Sequence, residues 1–102
     1  MSAPRRRLVL TELAAGDLKS IQRYSLEQWG AEQMTAYEDA IHHALDTLRD
    51  QPHLGRNRDD LLTGLRSLGI ASHTIFYRIE GDNLVVQRIL HQRLDATRTP
   101  LS

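Results

Sequence analysis

The sequence predicts an α+β fold in the order β-α-α-β-β-β, an antiparallel helical hairpin packed on one face of a small, mostly antiparallel sheet. Three observations carry this prediction. Apolar residues recur at three- and four-residue steps through two adjacent stretches, and the period changes to two after the loop that ends at Asp60. Glu80-Gly-Asp-Asn83 then sits between two β-prone runs as a hairpin signal. A chain of 102 residues, 40% hydrophobic and 25% charged, has room for a single domain over 1–102. Its core is expected over 7–95.

Arg7-Leu-Val-Leu10 is a short β-prone run, and Thr11 follows as an N-cap with Glu12 in the first turn. Ala14, Leu18, Ile21 and Ser25 then repeat on one face, which gives an amphipathic helix over 12–28. Gly16 inside it costs about 1 kcal/mol relative to alanine. Trp29-Gly30 ends it. Met34, Tyr37, Ile41, Ala44, Leu45 and Leu48 form the stripe of a second helix from Ala31 to Asp50, stopped by Pro52. The short join between the helices implies an αα-hairpin.

After the polar loop 51–60, β-prone runs are expected at Leu61–Leu68, Thr74–Ile79 and Leu84–Leu90, with Gly64 and Gly69 at the ends of the first or in a bulge. Ile75, Tyr77 and Ile79 share one face of the middle run, Phe76 and Arg78 the other. Leu84, Val86 and Leu90 are expected to share a face with Arg88. Apolar residues on both faces mark this last strand as interior, and the first strand should lie beside a later one. Residues 96–102 are expected to fray, leaving the second sheet face partly open.

Composition excludes whole classes of chemistry. There is no cysteine, hence no disulfide, thiolate nucleophile or cysteine-ligated metal. No apolar run approaches the ~20 residues of a membrane span. Met1-Ser-Ala-Pro-Arg-Arg-Arg7 has only Leu8-Val-Leu10 behind it, too little for a signal segment, so a cytoplasmic protein is expected. Net charge is zero but uneven: residues 11–50 hold eight acids against three bases, residues 51–102 seven arginines against five acids. Twelve of the thirteen basic residues are arginine, whose planar fork suits carboxylate or phosphate.

The scattered glycines make neither G-x-G-x-x-G nor a P-loop. His42 and His43 are adjacent, so they point about 100° apart on a helix and cannot chelate together. Neither metal nor other cofactor is expected. What remains is a set on the strands: Arg66, His73, Arg78, Arg88, His91 and Arg93. Such a row could hold phosphate or an acidic protein segment, or its arginines could pair with Glu80, Asp82 and Asp95 and only solvate the sheet. As a set on a half-covered sheet, Arg66, Arg78, Arg88, His91 and Arg93 are candidates for a partner surface. His91 alone reads as a packed histidine more than as a general base.

Several segments resemble one family. Leu10-Thr-x-x-Ala14, Asp17-Leu-x-x-Ile21-x-x-Tyr24 and Trp29-Gly30 are similar to the first helix of ParE-type toxins of bacterial toxin–antitoxin modules. Pro52-His-Leu-Gly-Arg56, Gly64-Leu-Arg66, His73-Thr-Ile-Phe-Tyr-Arg78 and Arg88-Ile-Leu-His91-Gln-Arg-Leu-Asp95 match the same family in order and spacing. The resemblance implies a RelE/ParE-like fold and a toxin that binds DNA gyrase and traps it on cleaved DNA. It also implies a ParD-like antitoxin whose C-terminal segment folds on the toxin, in an assembly of 2:2 or larger. No membrane and no sequence-specific nucleic acid enters. The RelE branch of the superfamily cleaves messenger RNA on the ribosome, and for that activity Arg66 and His91 are the candidate catalytic residues. No tyrosine follows Tyr77 and Lys19 is the sole lysine. The acid–base set is therefore incomplete, which favours binding without catalysis.

Overall fold

The computed structural model describes residues 5–101. Met1–Pro4 and Ser102, which hold part of the basic start and the end of the expected tail, lie outside the described residues. Strand β1 (Arg7–Leu10) leads into α1 (Glu12–Trp29) and α2 (Ala31–Asp50). A two-residue β2 (Arg56–Asn57) precedes β3 (Arg66–Ile70), β4 (His73–Glu80) and β5 (Asn83–His91). The sheet order is β1-β5-β4-β3-β2, with β1 parallel to β5 and every other pair antiparallel. The two helices lie together on one face of this sheet, as the periodicities require.

Thr11 makes the first turn of α1 and ties it to the sheet. Its Oγ1 accepts from the Ala14 N–H at 3.1 Å and donates to the Gln87 carbonyl at 2.8 Å. Gly30 alone joins the helices, at φ +89°, a left-handed conformation that glycine adopts without a Cβ clash. Between helices and sheet lies the main core, where Ala14, Ile41, Leu45 and Leu48 meet Ile75, Tyr77, Leu84, Val86 and Ile89. A smaller cluster of Leu65, Phe76 and Leu90 sits on the other sheet face.

Three expectations need correction. Strand β3 begins at Arg66, not Leu61, because Arg58–Leu65 closes into turns: the Asp59 carboxylate accepts from the Gly64 N–H at 2.7 Å, and Gly64 has φ +81°. Leu61, Leu62 and Leu65 thereby pack on the second apolar cluster instead of lying in a strand. Second, a bulge shifts the register of β4 and β5 between Phe76 and Tyr77. Tyr77 pairs with Val86 but Phe76 with Arg88, so Gln87 is an extra residue on β5. Alternation restarts there, and Leu90 shares the face of Arg88 but not that of Leu84 and Val86. Third, the chain after Asp95, expected to fray, folds back over the second sheet face. Ala96 and Leu101 pack on the Leu65, Phe76 and Leu90 cluster, and the Pro100 carbonyl accepts from Arg88 Nη1 at 2.7 Å. Asp95 starts this return by accepting from the Thr97 N–H and Oγ1 at 2.9 and 2.6 Å.

Candidate partner-binding surface

Three of the five candidate residues are occupied within the fold. Arg66 pairs in register with Tyr77, and its Nη2 donates to the His53 carbonyl at 3.2 Å. The Tyr77 hydroxyl grips the same loop: it donates to the Pro52 carbonyl at 2.6 Å and accepts from the Gly55 N–H at 2.8 Å. Burial pushes the pKa of Tyr77 up, with the Gly55 N–H opposing. A Cβ at residue 55 would strike the Tyr77 ring and hydroxyl, so Pro52-His-Leu-Gly-Arg56 carries glycine because the tyrosine lies on it.

Arg78 pairs with Glu80. With the Gln87 amide oriented to satisfy both its ends, Arg78 Nε donates to Gln87 at 2.9 Å and Gln87 donates to the Leu101 carbonyl at 3.1 Å. Arg88 makes a two-pronged bond to Asp17, both contacts at 2.8 Å, between side chains only 13% and 14% exposed. The Asp17 hydrogen bond raises the pKa of Arg88 further, against desolvation. These arginines bind the protein to itself; Arg93 is exposed.

The surface left open gathers around His91. Pairing of β1 with β5 ends at Leu10 and Val86, and beyond that point α1 lines β5 instead. Asp17 accepts from the Ile89 N–H at 2.9 Å, taking the place of a strand neighbour. Between α1 and this half of β5 lies an open, mostly apolar cleft of about 270 Å³, with Ile21, Tyr24 and Leu94 among its walls and His73 and His91 among its polar groups. A larger recess of about 680 Å³, between Arg5–Arg7 and the Glu80–Asn83 turn, is more polar and is lined by those arginines together with the acids of that turn.

His73 and His91 stand directly opposite each other on β4 and β5, ring centroids 5.2 Å apart and nearly perpendicular. Tyr37 of α2 also packs edge-on to His73 at 5.5 Å, with its hydroxyl 2.5 Å from Nδ1. The same hydroxyl accepts from the Ser72 N–H at 3.2 Å. Burial, then the neighbouring His91, lowers the pKa of His73, and Asp17 opposes them. Burial likewise raises that of Tyr37. His91 Nδ1 accepts from the Arg93 N–H at 3.1 Å, which leaves Nε2 as the ring nitrogen available to a partner.

The bulge builds this pair. A regular hairpin closed at Glu80 and Asn83 would set His73 opposite Leu90; the extra residue Gln87 advances the register by one and brings His91 there instead. Strand pattern alone does not show that step. Arg66 and His91 are not brought together. Arg66 faces Tyr77 and His91 faces His73, four residues along β4 and two strand spacings apart, roughly 16 Å.

Two helices on a five-stranded mixed sheet place the fold among the ParE and RelE toxins. The chromosomal ParDE TA system from P. aeruginosa is similar over 85% of this chain and 96% of its own, with a TM-score of 0.74 at 22% identity. The RelBE2 toxin–antitoxin complex from Mycobacterium tuberculosis covers 87% of this chain and 100% of its own, at 0.64 and 20%. Sequence then separates the branches. The family described as ParE toxin of type II toxin-antitoxin system, parDE, matches residues 8–96. Toxin ParE1 of M. tuberculosis is 37% identical over 93 residues, 90% of this chain and 95% of that protein. The chain belongs to the ParE toxin family.

Proposed function

We propose that this protein inhibits DNA gyrase by binding it, without chemistry of its own, and is neutralised by a ParD-like antitoxin whose C-terminal segment folds on it. Family membership supports the target and the partner. The observation that carries the mode of action is the state of the arginines. Cleaving RNA without a metal needs cations for the phosphorane charge beside an acid and a base. Of the strand arginines, Arg88 is committed to Asp17, Arg78 to Glu80, and Arg66 lies roughly 16 Å from His91, while Arg93, the unpaired cation beside that histidine, is exposed to solvent. Binding needs no such alignment. Supercoiling of relaxed plasmid by purified gyrase should fall as toxin is added at micromolar concentration; full activity there removes this reading.

One observation favours a ribosome-dependent ribonuclease as the second reading: His73 beside His91 supplies two titratable rings in one cleft. It predicts mRNA fragments in a translation extract and a loss of about 10²–10⁴ in rate for His91→Ala.

A further inference from the structure

The cleft between α1 and β5 combines three properties. It is smaller than the ~300–1,000 Å³ of small-molecule sites, a size that suits one large apolar side chain. Its mouth is apolar and open: Tyr24 is 55% exposed and Leu94 54%, and Trp29, packed edge-on to Tyr24 at 5.8 Å, extends the surface along α1. Unpaired cations lie next to its lining residues in the chain. Asp17, the carboxylate that lines it, is used up by Arg88 and the Ile89 N–H. Lys19 and Arg23 adjoin Ser20 and Tyr24 on α1, Arg93 follows His91, and none of the three forms an ion pair among the described residues.

We propose that this cleft anchors the antitoxin through one large apolar side chain seated between Tyr24 and Leu94 and one neighbouring carboxylate set against the His73–His91 pair, so that binding draws a proton onto that pair. The inference rests on the antitoxin reading above and assigns it a place and a pH dependence. Two rings 5.2 Å apart resist carrying charge together, and a carboxylate accepting from the Nε2–H of His91 offsets that repulsion; the proton taken up enters at His91 Nδ1, which then gives up its bond from the Arg93 N–H. The other charged and titratable groups around the pair are Asp17 and Tyr24 on α1, Tyr37 on α2, Arg88 on β5 and Arg93 beyond it. Asp17 is already neutralised by Arg88, so the new carboxylate is the group that changes the balance.

Calorimetric titration of the toxin with a ParD-like antitoxin tests this, in phosphate and in Tris, at about pH 6.5 and 7.5 where histidine titrates. Uptake approaching one proton is expected, with affinity rising up to about tenfold per pH unit lowered. His91→Gln should keep the complex and abolish the uptake. Ser20→Trp, on an exposed position of α1 at the cleft mouth, should weaken binding at least tenfold with an unchanged circular dichroism spectrum. A wild-type complex that takes up no proton, or an affinity indifferent to Ser20→Trp, overturns the anchor and leaves the antitoxin reading standing. Absence of any complex with wild-type toxin overturns both.

Discussion

Asp17 and Arg88 show how one pair of side chains sets the shape of the site. The carboxylate caps the Ile89 N–H where β1 leaves the sheet, and the guanidinium also reaches the Pro100 carbonyl. Helix, strand and C-terminal return therefore meet at one arginine. Arg88→Ala should cost about 3–5 kcal/mol in urea unfolding, since it leaves a nearly buried carboxylate without its cation. Lysine should restore little, because a point charge cannot make both bonds. A loss below about 1 kcal/mol would show that the pair does not hold these elements together. Gly55→Ala should destabilise by about 2 kcal/mol or more, because the new methyl meets Tyr77, whose hydroxyl is engaged by Pro52 and Gly55 itself. Arg93 behaves differently. Arg93→Glu should leave stability within about 0.5 kcal/mol while slowing association with the antitoxin in a salt-dependent way. Stopped-flow mixing at two ionic strengths separates those effects.

Among the elements, β4 carries a pH dependence near neutrality through His73. His73 is held below its ordinary value of 6.5 in the folded state, so the unfolded chain binds more protons between the two values. Its contribution to stability is fully present above 6.5 and is lost as pH falls through the folded value. Urea midpoints should decline over that window, and His73→Gln should flatten the decline; parallel curves for the two proteins would contradict it. The C-terminal return makes a second prediction. Ending the chain at Asp95 uncovers Leu65, Phe76 and Leu90 and frees Arg88 and Gln87 from Pro100 and Leu101. Tm should fall by roughly 5–10 °C, with new binding of a hydrophobic dye.

These elements were legible to different degrees for physical reasons. The helices show in the sequence because their caps and apolar stripe are local: Thr11 bonds Ala14, and Ile41, Ala44, Leu45 and Leu48 face one way. The bulge at Gln87 depends on pairing with a strand ten residues earlier and leaves no composition mark. The tail resembles a polar terminus because its one large apolar residue, Leu101, finds its neighbours across the sheet. The arginines of β3, β4 and β5 show as a row in sequence, yet their partners, among them Asp17 far away on α1, are fixed by tertiary contact. His91 could be named from the sequence; its companion His73 could be placed beside it only through the register.

At the scale of the whole molecule, an acidic helical half lies against a sheet half rich in arginine, and most of the sheet's cations are spent internally. Among the described residues, the α1–β5 cleft is an open apolar surface with unpaired cations next to its lining in the chain, so this face is expected to meet the antitoxin. Co-expressed toxin and antitoxin should scatter light as an assembly of 2:2 or larger. The most direct measurement of the central proposal, a toxin that acts by holding gyrase, is to incubate purified gyrase, plasmid and toxin and look for linear DNA. Linear plasmid that accumulates with toxin, and stops accumulating once antitoxin is added, is the predicted result. Unbroken, fully supercoiled plasmid at every toxin concentration, together with fragmented transcripts when the same preparation meets translating ribosomes, would contradict it.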